Sequence, residues 1–165
     1  MDEKLIIEFY SLIGEAVWQL QNLEEALNVL ILVKNDLKVI NKFTKDESDE
    51  ILNKYKLNTF GSSIKIAEKN CLISNEFLNK LKTLNNERNW LIHKLVYKNR
   101  QDVYHSASRI KLFSRIKSFS LDIRKLHNLL GKEIENYAIS VGVDPAYIEV
   151  ESKRILSNLR NNTFI

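Results

Sequence analysis

The sequence predicts an all-α protein, an up-and-down bundle of four to five main helices with an extra helix at the C-terminal end. Three observations carry that expectation. Four glycines and one proline are all that interrupt 165 residues, so little in the chain breaks a helix. Apolar residues recur at intervals of three and four rather than two, which is the period of an amphipathic helix. The links near residues 70–74 and 99–104 are short, which favours antiparallel neighbours.

Taken in order, the first helix is expected over residues 3–35, where Leu5, Phe9, Leu12, Ala16, Leu20, Leu23, Leu27, Leu30 and Val33 keep an apolar stripe on one side. A short acidic helix follows at residues 45–55. Thr59 can cap a third helix running to residue 70, and Ser74 a fourth running to residue 98. Residues 106–140 read as another long helix, with Ile110, Phe113, Ile116, Leu121, Ile123, Leu126, Leu130, Ile134 and Tyr137 as its inner face. Asp144, with Pro145 at the first helical position, opens a last helix towards Leu159. No internal repeat or low-complexity block divides the chain. Residues 1–165 therefore read as one domain, with a core over 3–140 and an appended helix over 144–159.

Composition narrows the function classes. A lone cysteine, Cys71, cannot form an intramolecular disulfide or a thiolate zinc site, and it points to a reducing compartment, with the cytoplasm as the expected location. The start, Met-Asp-Glu-Lys, lacks a basic leader followed by a small-residue cleavage site. The longest apolar run, residues 29–33, is far shorter than the ~20 residues of a membrane span. Neither a targeting segment nor a membrane anchor is expected. The net charge of +4 conceals an asymmetry: residues 1–87 hold 11 Lys and Arg against 14 Asp and Glu, whereas residues 88–165 hold 14 against 7. The basic half fits either solvated helix faces or an anionic partner such as RNA.

Chemistry concentrates in the fourth helix, where Glu87-Arg88-Asn89-Trp90-Leu91-Ile92-His93 contains an Arg-Asn-x-x-x-His string. At about 100° per residue from Leu84, Phe77, Leu81, Leu91 and Leu95 fall within about 60° of it, with Ile92 just beyond. Arg88 falls at about 40°, inside that apolar arc, where a guanidinium needs a partner. Either an acid of the first helix, such as Glu15 or Glu24, pairs with it, or the seam is wet. Asn89 and His93 fall at about 140° and 180°, neighbours at i and i+4, with Asn85 and Tyr97 continuing the row. Cation, amide and imidazole together can bind a phosphodiester and move its protons.

The segment Leu84-Asn85-Asn86-Glu87-Arg88-Asn89-Trp90-Leu91-Ile92-His93 resembles the signature of the HEPN superfamily. That pattern is an arginine, commonly followed by a polar residue, then a histidine after four to six intervening residues; here the gap is four. The string lies in a late helix, after a Thr59-Phe60-Gly61-Ser62 break and before a long helix. The resemblance implies a bundle of four or five helices that forms a homodimer and brings two such strings into one basic cleft. It also implies a metal-independent endoribonuclease of toxin–antitoxin or phage-defence type, needing no cofactor. His93 would serve as general acid or base, Arg88 would bind the scissile phosphate, and Asn89 would orient both. Attack by the 2′-hydroxyl would leave a 2′,3′-cyclic phosphate, and DNA would not be cut. A catalytically inactive module that binds nucleotide, RNA or a protein partner through the same cleft is the alternative.

Around that string, Lys94, Lys98 and Arg100 are candidates for RNA phosphates and Tyr97 for a substrate contact. A toxin subgroup of the superfamily carries a tyrosine two positions after its histidine, modified by a nucleotidyltransferase antitoxin; position 95 here is Leu95. An antitoxin or nucleotidyltransferase partner is therefore an expectation from the family and not from the motif. The remaining candidates are structural: His105 and His127 lack ligand spacing, Trp18 and Trp90 read as packing or dimer-seam residues, and Asp46, Glu47, Asp49 and Glu50 read as a solvated helix start.

Overall fold

A computed structural model describes residues 3–36 and 44–160, so the expected outer limits of the domain, residues 1 and 165, lie outside it. Most of the described residues are helical, with no strand among them. Helix α1 spans Glu3–Ile31 and runs on through a π-helical turn, Leu32–Asp36. Helix α2 spans Lys45–Lys56, α3 Phe60–Lys69, α4 Asn75–His93, α5 Leu95–Asn99, α6 Ser106–Ser140 and α7 Pro145–Arg160. None of them is long and apolar enough to cross a membrane.

Local chemistry explains where the helices begin. Thr44 and Glu47 form a reciprocal capping box on α2, so one acid of the 46–50 cluster is a cap. Thr59 Oγ1 accepts from the Ser62 amide to start α3, and Ser74 Oγ accepts from the Phe77 amide to start α4, each satisfying an otherwise orphaned donor. Helix α3 ends on Cys71, which holds the left-handed conformation (φ 51°) while the Leu72 amide reaches back to the Ala67 carbonyl. Gly142 does the same after α6 at φ 100°, where glycine adopts the conformation without a Cβ clash.

Neighbouring pairs are α1 with α3, α3 with α4, α4 with α6, and α6 with α1, so four helices close a ring around the core. The ion pairs Lys117–Glu8, Arg124–Glu15 and Lys34–Glu133 rise together in number along α6 and along α1 with its π-helical extension, which makes α1 and α6 parallel. Lys82 pairs with Glu68 while Asn85 lies against Gly61, so α4 runs antiparallel to α3, and the Arg115–Glu87 pair packs α4 near its C-terminal end against the start of α6. The core is apolar and continuous: Leu23, Leu27, Leu30 and Ile31 of α1 meet Phe60 and Ile64, Leu81 and Leu84, and Ile116, Ile123 and Leu130.

Two details differ from the sequence expectation. The fourth helix does not run unbroken to residue 98, since Lys94 is a turn residue and the chain resumes as α5. On α6, Ile110 and Leu121 are 66% and 51% exposed, while Leu112, Phe119 and Ser120 are buried. Measured from Ile116 at about 100° per residue, the buried residues lie within about 80°, whereas Ile110 and Leu121 fall at about 120° and 140°. Hydrophobicity alone had drawn them inward. Their α-helical phase puts them outside.

Candidate functional site

The site is built on the second half of α4, where the helix crosses from the closed bundle towards the α4–α5 turn. Arg88 points into the bundle as its phase requires and meets Glu24 of α1, the helix diagonally opposite in the ring, with Nε and Oε1 3.7 Å apart. Both side chains are about one-quarter exposed. At that distance the pair attracts electrostatically without a hydrogen bond, and neither Arg88 Nε nor Glu24 Oε1 has another partner. Burial pushes the Glu24 carboxyl above its ordinary range, and the nearby Arg88 charge only partly offsets this.

The guanidinium also turns along its own helix, where Nη1 donates to Asn89 Oδ1 at 3.3 Å. The backbone directions of Arg88 and Asn89 diverge, as the phase calculation requires, and the length of the arginine closes the gap. His93 lies one turn beyond Asn89, is the last residue of α4, and is exposed. No hydrogen-bond partner holds its imidazole among the described residues. The structure thus joins Arg88 to Asn89 and leaves His93 on the adjoining surface.

Past the histidine, Lys94, Tyr97, Lys98 and Arg100 are all exposed, Tyr97 at 90%. Ion pairing neutralises only some of the cations of the basic half. On α6, Arg115, Lys117 and Arg124 pair with Glu87, Glu8 and Glu15, so part of the sequence asymmetry is neutralised by the acids of α1 and α4. Lys94, Lys98 and Arg100 form no ion pair among the described residues.

A second network, not legible in the sequence, fixes the turn that carries them. Trp90 is buried, and its Nε1 donates to Asn99 Oδ1 at 3.1 Å; Asn99 Nδ2 in turn donates to Asp102 at 2.7 Å. Arg115 stacks over the indole at 3.6 Å while its Nε and Nη2 both donate to Glu87 at 2.9 Å. Trp90 is therefore a packing residue, and α5 is anchored to α4 and α6 through it. His105 and His127 are exposed, and among the described residues no three His, Cys, Asp or Glu side chains are grouped as metal ligands.

Chemically, this surface can hold an anion beside a proton carrier: the exposed cations and the Arg88 edge supply charge, and His93 supplies an imidazole that can donate or accept a proton. No family model matches the chain, and no curated protein or solved structure matches it.

Proposed function

We propose that this chain is a HEPN-like, metal-independent endoribonuclease of toxin or phage-defence type, acting as a homodimer on RNA. The observation that carries the proposal is the succession of polar side chains on α4 and α5. The Arg88 guanidinium rests on Asn89, His93 is exposed one turn later, and Lys94, Lys98 and Arg100, without ion pairs among the described residues, follow. In the reaction, neutral His93 accepts the 2′-hydroxyl proton as that oxygen attacks phosphorus. The P–O5′ bond breaks, an imidazolium returns a proton to the leaving 5′-oxygen, and a 2′,3′-cyclic phosphate remains. Arg88 offsets the charge that builds on the phosphorane oxygens. Glu24 competes weakly for that arginine, because its ionised form is disfavoured by burial and sits beyond hydrogen-bond distance. An antitoxin, including one with nucleotidyltransferase activity, is the protein partner this class brings.

A second reading is favoured by the Arg88–Glu24 pair itself. If that pair is purely structural, the surface binds nucleotide, RNA or a protein without cutting. An RNA and the same RNA carrying 2′-deoxy sugars separate the two. Cleavage of the first in EDTA to cyclic phosphate ends, with the second bound but intact, supports the nuclease; equal binding of both with no products supports the binding module.

A further inference from the structure

A cleft of about 310 Å³ lies between α1 and the α2–α3 link, lined by Gln21, Glu24, Glu25, Asn28, Lys56 and Asn58. The four α1 residues follow one another at i, i+3, i+4 and i+7, so they share one face of the helix. Asn28 is only 5% exposed; its Oδ1 accepts from Ser63 Oγ at 2.7 Å, while its Nδ2 has no hydrogen-bond partner among the described residues. Glu24 turns Oε1 inward to Arg88 without a hydrogen bond, which leaves Oε2 to the cleft. Gln21 and Asn58 likewise have no hydrogen-bond partner among the described residues. Glu25 and Lys56 meet each other as an exposed pair 3.7 Å apart. The cleft therefore holds buried and half-buried polar groups whose hydrogen bonds are unmade within the fold, and such groups call for a partner.

We infer that this cleft binds the Watson–Crick edge of a guanine base. Along the helix face the available groups run donor, acceptor, acceptor: Asn28 Nδ2, Glu24 Oε2 and Gln21 Oε1. Guanine carries the complement on consecutive positions, with O6 to accept from Asn28, N1–H to donate to Glu24 and the 2-amino group to donate to Gln21. Adenine and cytosine have donors only on their amino group and uracil only on N3, so each leaves an oxygen of the cleft unmatched. A site built to hydrogen-bond one ligand rejects an analogue that leaves its polar groups unpaired. Glu24 also faces Arg88 at 3.7 Å, so a base seated on this carboxylate brings its own phosphate close to that guanidinium. The ligand chemistry is the same for a free guanine nucleotide and for a guanosine within RNA. Taking the base from RNA rests on the nuclease reading and deepens it, by naming a nucleotide that the chain selects.

Isothermal titration of the full chain tests it with GMP, IMP, AMP, CMP and UMP, and with short 2′-deoxy oligonucleotides that contain one guanine or none and cannot be cut by 2′-hydroxyl attack. The expected result is a dissociation constant for the guanine ligands about tenfold or more below those of the other bases. Tighter binding of the guanine oligonucleotide than of GMP assigns the base to a strand; the reverse order assigns a free nucleotide. Glu24→Ala should abolish the preference for guanine. Gln21→Ala, at an exposed position, should make GMP and IMP equal, since IMP lacks the 2-amino group. Circular dichroism confirms that both variants are folded. No measurable binding of guanine ligands overturns the inference, as do equal affinities for all bases or a guanine preference that survives in both variants. Guanine binding without RNA cleavage leaves the inference standing and removes the nuclease reading, whereas cleavage without base preference does the opposite.

Discussion

Arg88 of α4 and Glu24 of α1 face each other across the diagonal of the bundle at 3.7 Å, each about one-quarter exposed and neither hydrogen-bonded to the other. Burial raises the Glu24 carboxyl more than Arg88 lowers it. A folded-state value above the ordinary 4.5 means that folding favours the protonated acid. The stability this confers is complete below pH 4.5 and is lost as the pH rises through the folded-state value. The stability of Glu24→Gln relative to wild type, from urea titrations at pH 4 and pH 7, is therefore expected to improve with rising pH. An advantage for wild type that grows with pH would mean that the ion pair outweighs its desolvation.

The phase of α6 can be tested by truncation. Ile116→Ala opens the core and is expected to cost about 2–5 kcal/mol, whereas Ile110→Ala and Leu121→Ala, on the outer face, should stay within about 0.5 kcal/mol of wild type. Denaturant midpoints at unchanged slope report this directly. Equal losses at all three positions would refute the observed helix phase.

Trp90 ties the motif helix to the turn beyond it. Trp90→Phe keeps most of the buried ring but removes the Nε1 bond to Asn99, and is expected to cost about 1 kcal/mol. Amide hydrogen exchange should show faster opening in α5, with α1 unchanged. Uniform protection across both would mean that the indole bond does not anchor α5.

Cys71 occupies a left-handed position at the end of α3. Its Cβ strains that conformation by about 1–2 kcal/mol, and glycine is the usual residue there. Cys71→Gly should therefore raise the melting temperature despite the greater freedom of glycine in the unfolded chain. A lowered melting temperature would contradict this.

Much of the fold was legible because helix starts and stops are local chemistry. Thr59, Ser74 and Pro145 each sit where their capping or φ preference places them, and the long helix over 106–140 coincides with α6. The break at Lys94 was not legible, since nothing in Leu91-Ile92-His93-Lys94-Leu95 breaks a helix; Trp90, Asn99 and Asp102 hold the turn through tertiary bonds. The phase of α4 did anticipate a partner for Arg88 and offered Glu15 or Glu24. Glu24 takes that place, while Glu15 pairs with Arg124. The Arg115–Glu87–Trp90 cluster joins residues 28 and 25 positions apart, and no short-range pattern could announce it.

Single-turnover cleavage of a labelled RNA in EDTA by wild type and by His93→Ala is the most direct measurement. His93 is exposed and has no hydrogen-bond partner among the described residues, so its loss should leave unfolding within about 0.5 kcal/mol of wild type. The cleavage rate should fall by a factor of about 10² or more. Cleavage by wild type that persists undiminished in the folded His93→Ala protein would contradict the assignment of this imidazole as the proton carrier.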